Sequence, residues 1–479
     1  METSVTKRIA KNFTWLSIGD IISRGLIFFA IIYIARVLGA AAFGLLNFAQ
    51  AFLAYLVLLV DSGLSLFGAR EIAKAKEKVA AISLNIFAIR FLIALIIFLI
   101  SLFILFLLPL SFEIRLLFIG TFLFIFYRAL SADWVFQGLE IMQYIAYSRI
   151  FYSILAFILV VCLIKSSADL VKVPFVLFAS GMIASVLFLS ILYKRITTTS
   201  LSHLAPLNWW EYFSEAIPLG ASMILVQIYY NMDTIMLGFM DTPEVVGYYN
   251  AAYKIFLVFI GFLTIWQSTA FPVMSKRVIK EKDKVQNFLD KYIRLTMLVA
   301  IPISIIVTIL SPLIISLFFG SNYISSYQGL QILIWSIIFI SITSVYGVLI
   351  LVPLGKSREF LYGVASGALI NIILNIILIP PYSFKGAALA TLLSEVTVAM
   401  VMFYFARKEI YVKVIENLKI PIWASSVAIF FSIIGQYFSP ANFKLISGSI
   451  IFSAIYFLMI IILGEKRFLL DFYKEIIKR

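Results

Sequence analysis

Residues 82–108 read ISLNIFAIRFLIALIIFLISLFILFLL, a run of 27 residues carrying a single charge, Arg90. A helix rises about 1.5 Å per residue, and about 20 apolar residues cross the roughly 30 Å hydrocarbon layer of a bilayer. The run therefore reads as a membrane-spanning helix. A basic segment, Arg70 to Lys78, precedes it and Pro109 follows it. The same test, applied outward in both directions, decides the fold class.

The whole chain resembles this stretch. Of 479 residues 63% are hydrophobic and 13% charged, and the mean hydropathy is +1.06. Ordinary soluble domains hold about 45–50% apolar and about 25% charged residues, so a soluble protein and a disordered chain are both excluded. The net charge of +14 comes from 38 Lys and Arg against 24 Asp and Glu. In a membrane protein this excess marks basic cytoplasmic loops rather than a nucleic-acid partner. One cysteine, Cys162, cannot form an intrachain disulfide, and one histidine, His203, cannot build a His-rich metal centre. Cys162 reads as a small apolar packer and His203 as a loop residue; no metal and no cofactor is expected.

Fourteen apolar runs can be delimited. The first six cover residues 12–37, 42–68, 82–108, 114–137, 141–164 and 171–193. The next six cover 216–240, 245–272, 288–319, 324–352, 360–379 and 385–406, and two more cover 420–438 and 443–463. The ninth and tenth are long enough to be broken near Pro312 or tilted. Alternating the loops puts 27 Lys and Arg on one side and six (Arg36, Arg115, Lys165, Lys172, Lys385, Lys444) on the other. The positive-inside rule then places both termini in the cytoplasm. The outer loops are short, the longest being about Lys165 to Lys172, which leaves no room for an external catalytic domain. The first apolar stretch is long, contains Asp20 and Arg24, and does not read as a cleavable signal peptide.

Two halves can be superposed in register. Gly44-Leu-Leu-Asn47-Phe-Ala49 parallels Gly247-Tyr-Tyr-Asn250-Ala-Ala252, and Leu38-Gly39 parallels Leu237-Gly238. Arg70 to Lys78 parallels Lys276 to Lys284, and Ile89-Arg90 parallels Ile293-Arg294. An offset of six helices gives both halves the same orientation, the parallel-repeat pattern in which cargo binds between lobes. The expected architecture is all-α and polytopic: a lobe over 1–205 (helices 1–6), a pseudo-symmetric lobe over 206–410 (helices 7–12), then helices 13–14 and a tail over 411–479.

Five basic residues, Arg24, Arg90, Arg128, Arg149 and Lys254, fall inside spans. Each costs about 2.5–3.5 kcal/mol at a helix centre, so it needs a partner, water or a route to the interface. Arg90 lies about two turns from the cytoplasmic end, where snorkelling or a structural pair accounts for it. Arg24 sits near mid-span and points to a hydrated cavity, as does Lys254. Asp20, Asp61, Asp133, Asp233 and Glu395 lie at comparable depth. Asp20 and Arg24, four apart, share a helix face. Asn47, Gln50 and Asp61 share one face of span two, and Asn250 and Lys254 one face of span eight. A surplus of positive charge selects an anion; an exporter of organic cations would instead use Asp20, Asp61, Asp233 and Glu395 as ion-coupling carboxylates. Asp133, near the cytoplasmic end, suits helix packing equally well.

Other chemistries are poorly served. Gly355-Lys356-Ser357 has the ending of a phosphate-binding loop, but Ile350 stands where its first glycine belongs and the strand–loop–helix setting is missing. ATP hydrolysis is not expected. A membrane glycosyltransferase or polymerase is disfavoured by the short outer loops. Trp134, Trp209 and Trp210 read as core or interfacial aromatics.

An ordered series of short motifs resembles a known family. Ile9-Ala-Lys-Asn12, Ile34-Ala-Arg36-Val-Leu-Gly39, Phe43-Gly44, Asp61-Ser-Gly63-Leu and Ala69-Arg70-Glu71 open it. Trp134-Val-Phe-Gln137-Gly138-Leu-Glu140-Ile-Met142 and Asn231-Met-Asp233-Thr-Ile-Met-Leu-Gly238 follow, then Asn371, Asn375, Pro380, Gly386-Ala-Ala388 and Ala390-Thr-Leu-Leu-Ser394-Glu395. Together they resemble the polysaccharide/oligosaccharide flippases of the multidrug/oligosaccharidyl-lipid/polysaccharide exporter superfamily. The resemblance implies two six-helix lobes around a central cavity that opens alternately to each side of the plasma membrane. The implied cargo is polyprenyl-(pyro)phosphate-linked oligosaccharide moving to the outer leaflet, with glycosyltransferases and a polysaccharide polymerase as functional partners. In the lipid-II flippase branch a basic residue in the first span and another in the eighth line the cavity. Arg24 and Lys254 fall in comparable places, but Gly25 stands where that branch has an acidic neighbour. Arg24, Lys254, Arg128 and Arg149 are thus the expected phosphate contacts, with Asn47, Gln50 and Asn250 lining the cavity. Lipid-II flipping and ion-coupled export of organic cations or drugs are the alternatives.

Overall fold

Long apolar runs separated by charges, prolines and left-handed glycines fold as helices joined by tight turns, because hydrocarbon leaves no other way to satisfy the backbone. The computed structural model describes residues 2–196, 209–278, 282–440 and 443–465. His203 and the basic tail from Lys466 lie outside them. Among the described residues there is no strand. The first half comprises α1 (Glu2–Leu38), α2 (Ala40–Asp61), α3 (Leu64–Lys74), α4 (Val79–Leu107), α5 (Phe112–Leu130), α6 (Asp133–Gly138), α7 (Gln143–Leu163) and α8 (Lys172–Ile196). The second comprises α9 (Trp209–Met240), α10 (Pro243–Arg277), α11 (Lys282–Phe319), α12 (Ser326–Leu333), α13 (Ser336–Thr343), α14 (Ser357–Tyr382) and α15 (Phe384–Ala406). A hairpin of α16 (Val414–Phe438) and α17 (Lys444–Ile462) ends it. Among the described residues, thirteen helical segments are long and apolar enough to cross a membrane. They coincide with the expected spans except the seventh, which lies within α9.

The structure departs from the expected rods in three places. Span two breaks after Asp61, where Ser62 (φ 43°) and Gly63 (φ 83°) are left-handed. Span four breaks at Ser131-Ala132. The two short helices beyond these breaks, α3 and α6, pack closely through glycines: a Cβ on Gly68 would lie 2.4 Å from the Trp134 ring. One on Gly138 would lie 2.8 Å from the Ala69 carbonyl oxygen. Span ten is segmented into α12, α13 and a π-helical stretch, Ser344–Leu351.

Of the break near Pro312 and the tilt that the sequence left open, the break does not occur, for α11 runs unbroken through Pro302 and Pro312. A helical proline strips a hydrogen bond from the carbonyl four residues back, and an orphaned carbonyl in hydrocarbon costs several kcal/mol. Here side chains replace the lost donors. Tyr456 of α17 donates its hydroxyl to the Leu298 carbonyl at 2.8 Å, and Gln331 of α12 donates Nε2 to the Thr308 carbonyl at 3.1 Å. Cys162, expected to pack, is exposed instead. Gly355-Lys356-Ser357 forms a turn at Gly355 (φ 74°). Lys356 Nζ there bonds Glu409 at 2.7 Å, which raises its pKa.

By contact the chain parts into two compact units, Met1–Gly238 with Thr242–Gly247, and Phe239–Asp241 with Tyr248–Arg479. Phe67, Ile86, Trp134, Phe136 and Tyr212 centre one core of the first unit. Met274, Tyr292, Tyr346, Met402 and Phe452 centre that of the second. In the first unit the repeat-matched glycines meet: a Cβ on Gly44 would fall 1.7 Å from the Pro243 carbonyl oxygen, and one on Gly247 would fall 2.1 Å from that of Ala40. Gly44→Val is therefore expected to destabilise the protein by roughly 3 kcal/mol through overpacking against backbone. A thermal midpoint of the purified variant equal to that of the native protein would contradict the close crossing.

The loop between α7 and α8 is held by Asp169. Its carboxylate faces Lys172 Nζ at 2.6 Å and accepts from the Lys165 and Ser166 amides at 2.9 and 3.0 Å. The Lys172 contact first, then the two amides, hold its pKa well below the usual carboxylate range. A depressed carboxylate contributes stability above its unfolded value of about 3.9 and loses it as pH falls toward the folded value. Native protein should therefore show an acid-side decline in loop protection, measured by amide exchange, that Asp169→Asn lacks.

Candidate functional site

The first unit carries a linked group of arginines and aspartates built from six helices. Asp20 and Arg24 share a face of α1 and pair at 3.4 Å. Arg149 of α7 pairs with Asp20 through Nη1 and with Asp133, the first residue of α6, through Nε at 3.2 Å. An acid in the first turn of a helix is favourably placed against the helix dipole. Arg128, exposed near the end of α5, lies within electrostatic reach of Arg90.

Arg90 of α4 stands at both helix breaks. Its Nη2 donates to the Arg128 carbonyl at 2.5 Å and pairs with Asp61, the last residue of α2, at 3.3 Å. The last carbonyls of a helix lack intrahelical donors and carry the negative end of its dipole, so a guanidinium there satisfies α5 while neutralising Asp61. Asp61 also accepts from Ser65. The Arg90 side chain is only 5% exposed, and its Nε and Nη1 have no hydrogen-bond partner among the described residues. It does not snorkel; it is a buried clamp.

Accessibility separates the members of the group. The Arg24 side chain is 75% exposed and that of Arg149 42%. The group contains Arg24, Arg90, Arg128 and Arg149 against Asp20, Asp61 and Asp133, an excess of one positive charge, with Arg24 and Arg128 exposed, Arg149 half-buried and Arg90 buried. Elsewhere in the unit Asn47 is buried and spends its amide on the Phe43 carbonyl at 2.8 Å, while Gln50 is half-buried. Asp233 is buried within reach of Tyr55.

In the second unit Lys254 is half-buried and makes no hydrogen bond or ion pair among the described residues. Asn250, one turn earlier on α10, is buried. Glu395 of α15 is buried, as are Asn371 and Asn375 of α14, which are linked Nδ2 to Oδ1 at 3.1 Å. The structure thus joins Arg24 and Arg149 through Asp20, with Arg128 close to Arg90. Asp133, read from sequence as equally suited to packing, bridges to Arg149.

Sequence reasoning missed Glu140. Its positive φ of 61° is held by Asn12, which donates Nδ2 to its carbonyl at 3.1 Å, and its carboxylate bonds Lys76 at 2.8 Å. The run Gly138-Leu139-Glu140 before the Ile141 resumption was the available signal, since a turn must follow a break that close to a span end.

An all-helical chain with an internal repeat and accessible cations within its apolar spans has the build of a multi-pass membrane transporter. The chain belongs to the polysaccharide biosynthesis protein family, whose pattern matches residues 9–278; the MatE family pattern matches residues 218–377. It is similar to the "Putative O-antigen transporter" of Escherichia coli (strain K12), 24% identical over 78% of this chain and 91% of that protein. It is 29% identical to the "Probable low-salt glycan biosynthesis flippase Agl15" of Haloferax volcanii over 46% of this chain and 48% of that one. Its fold matches that of the lipid II flippase MurJ in an inward closed conformation, with a TM-score of 0.75 at 18% identity over 94% of this chain and 99% of that one.

Proposed function

We infer that this chain is a flippase that moves polyprenyl-(pyro)phosphate-linked oligosaccharide from the cytoplasmic to the outer leaflet of the plasma membrane. The observation that carries the reading is the accessible Arg24–Arg149 pair of cations, in a chain of the polysaccharide biosynthesis family. A pyrophosphate presents oxygens on two centres, and guanidinium groups grip such oxygens with paired, charge-assisted hydrogen bonds. Arg24 and Arg149 hold the phosphates, Arg128 lies next to them, and Lys254 supplies a further cation from the second half. Gln50, half-buried where Asn47 and Asn250 are buried, is the member of the expected polar lining that meets sugar hydroxyls, and the polyprenyl tail stays in lipid.

The two lobes, 1–205 and 206–410, rock about a central cationic cavity with both termini in the cytoplasm. Glycosyltransferases on the inner face make the cargo and a polymerase on the outer face consumes it. Asp20, Asp61, Asp233 and Glu395 are the candidates for ion coupling. Export of organic cations is the weaker reading, because Asp20 and Asp61 are each tied to an arginine and so present little free negative charge.

The deciding experiment is the leaflet distribution of lipid-linked oligosaccharide in cells lacking this protein and any redundant flippase. Accumulation on the cytoplasmic side, relieved by re-expression, is expected. A normal distribution in those cells would sink the reading.

A further inference from the structure

The repeat match has a gap that the structure fills from outside the repeat. Arg90 and Arg294 are repeat mates, each deep in the third helix of its half. In the first half the acid for Arg90 comes from within the repeat, from Asp61 of α2. Carrying the Asn47–Asn250 register forward, the position matching Asp61 is Thr264. Thr264 bears no charge, and its hydroxyl is spent on the Ile260 carbonyl of its own helix at 2.9 Å. The second half therefore holds a repeat-matched arginine whose repeat-encoded acid is missing.

Glu465, just past α17, replaces it. Its carboxylate pairs with Arg294 and its side chain is fully buried. A second polar contact joins the same elements: the Tyr456 hydroxyl on the Leu298 carbonyl that Pro302 leaves free. Phe452, Tyr456 and Ile460 of α17, with Ala424 and Ala428 of α16, belong to the core of the second unit.

We propose that the α16–α17 hairpin completes the second repeat, with Glu465 as the positioning residue for Arg294 in place of the acid that Thr264 does not supply. On this view the hairpin is an obligatory part of the second unit, held by two polar contacts one helix turn apart on α11, at Arg294 and Leu298, both N-terminal to Pro302. Between helices in lipid the hydrophobic effect offers little, so association rests on packing and on such contacts.

The test uses the full chain with a protease site placed in the loop between Ala406 and Val414. After the purified protein is nicked, retention of the C-terminal piece is followed through detergent washes. Native protein should keep the piece. Glu465→Gln should lose it at least about tenfold faster, in line with coupling between contacting groups. The exchanged pair Arg294→Glu with Glu465→Arg should restore retention to within about twofold of native. Tyr456→Phe, which removes one hydroxyl and leaves the charges alone, guards against a Glu465 variant that does not fold, and should weaken retention less. Loss of the piece from Glu465→Gln at the native rate overturns the proposal; so does an exchanged pair no better than either single substitution. Neither readout involves a glycan, so the outcome is separate from that of the leaflet experiment.

Discussion

Arg90→Ala is expected to prevent the protein from accumulating, at a cost of about 3–5 kcal/mol for stripping one partner from a buried ion pair. The substitution removes three things at once. Asp61 loses its counter-charge at the end of α2, the Arg128 carbonyl loses a donor at the end of α5, and the space between two helix breaks is left open. Domains are stable by about 5–15 kcal/mol, so such a loss takes a large share of the total. Arg90→Lys keeps the charge but not the planar fork that reaches carboxylate and carbonyl together, and should fall between. Replacing both residues, Arg90→Leu with Asp61→Leu, should recover much of the loss, because it removes the stranded charge along with its partner. Membrane-fraction abundance and thermal midpoint in detergent measure all three variants. If Arg90→Ala matched native on both, the clamp would carry no weight in holding the two breaks.

What was legible in the sequence and what was not divides along physical lines. Span positions follow from a local quantity, the length of an apolar run, and the structure returns each to within a few residues apart from the seventh, which lies within a longer helix. The Asp20–Arg24 pair was equally local, being one helix turn. The breaks at Ser62-Gly63 and Ser131-Ala132 were written in turn-forming residues but were overridden by the apolar residues on both sides. Prolines pulled in the opposite direction: Pro312 left a break or a tilt open for the ninth span, and the Leu298 and Thr308 carbonyls that Pro302 and Pro312 leave free are served by Tyr456 and Gln331, 154 and 19 residues downstream of the prolines. Partners of the repeat-matched arginines were hidden for the same reason. Asp61 lies 29 residues from Arg90 and Glu465 171 residues from Arg294, distances over which no periodicity speaks.

Arg24→Ala should have the opposite profile to Arg90→Ala, leaving the fold nearly unchanged and removing transport. Arg24 is the most accessible arginine of the group, and its pair with Asp20 is of the exposed intrahelical kind, worth about 0–1 kcal/mol. A charge-assisted hydrogen bond to a bound phosphate is worth about 1.5–3 kcal/mol, so affinity for a polyprenyl pyrophosphate should fall about tenfold to a hundredfold. Asp20→Asn supplies the converse. Asp20 engages both Arg24 and Arg149, so removing its charge frees both cations for the phosphate, and affinity should rise. For an organic-cation exporter the signs reverse: Asp20→Asn lowers cargo affinity and Arg24→Ala raises it by freeing the carboxylate. Binding of undecaprenyl pyrophosphate and of a lipophilic cation to the two purified variants thus reads charge selectivity independently of energy coupling. A fall with Arg24→Ala and a rise with Asp20→Asn for the pyrophosphate establishes an anion site, because an unfolded or loosened protein moves both variants in the same direction.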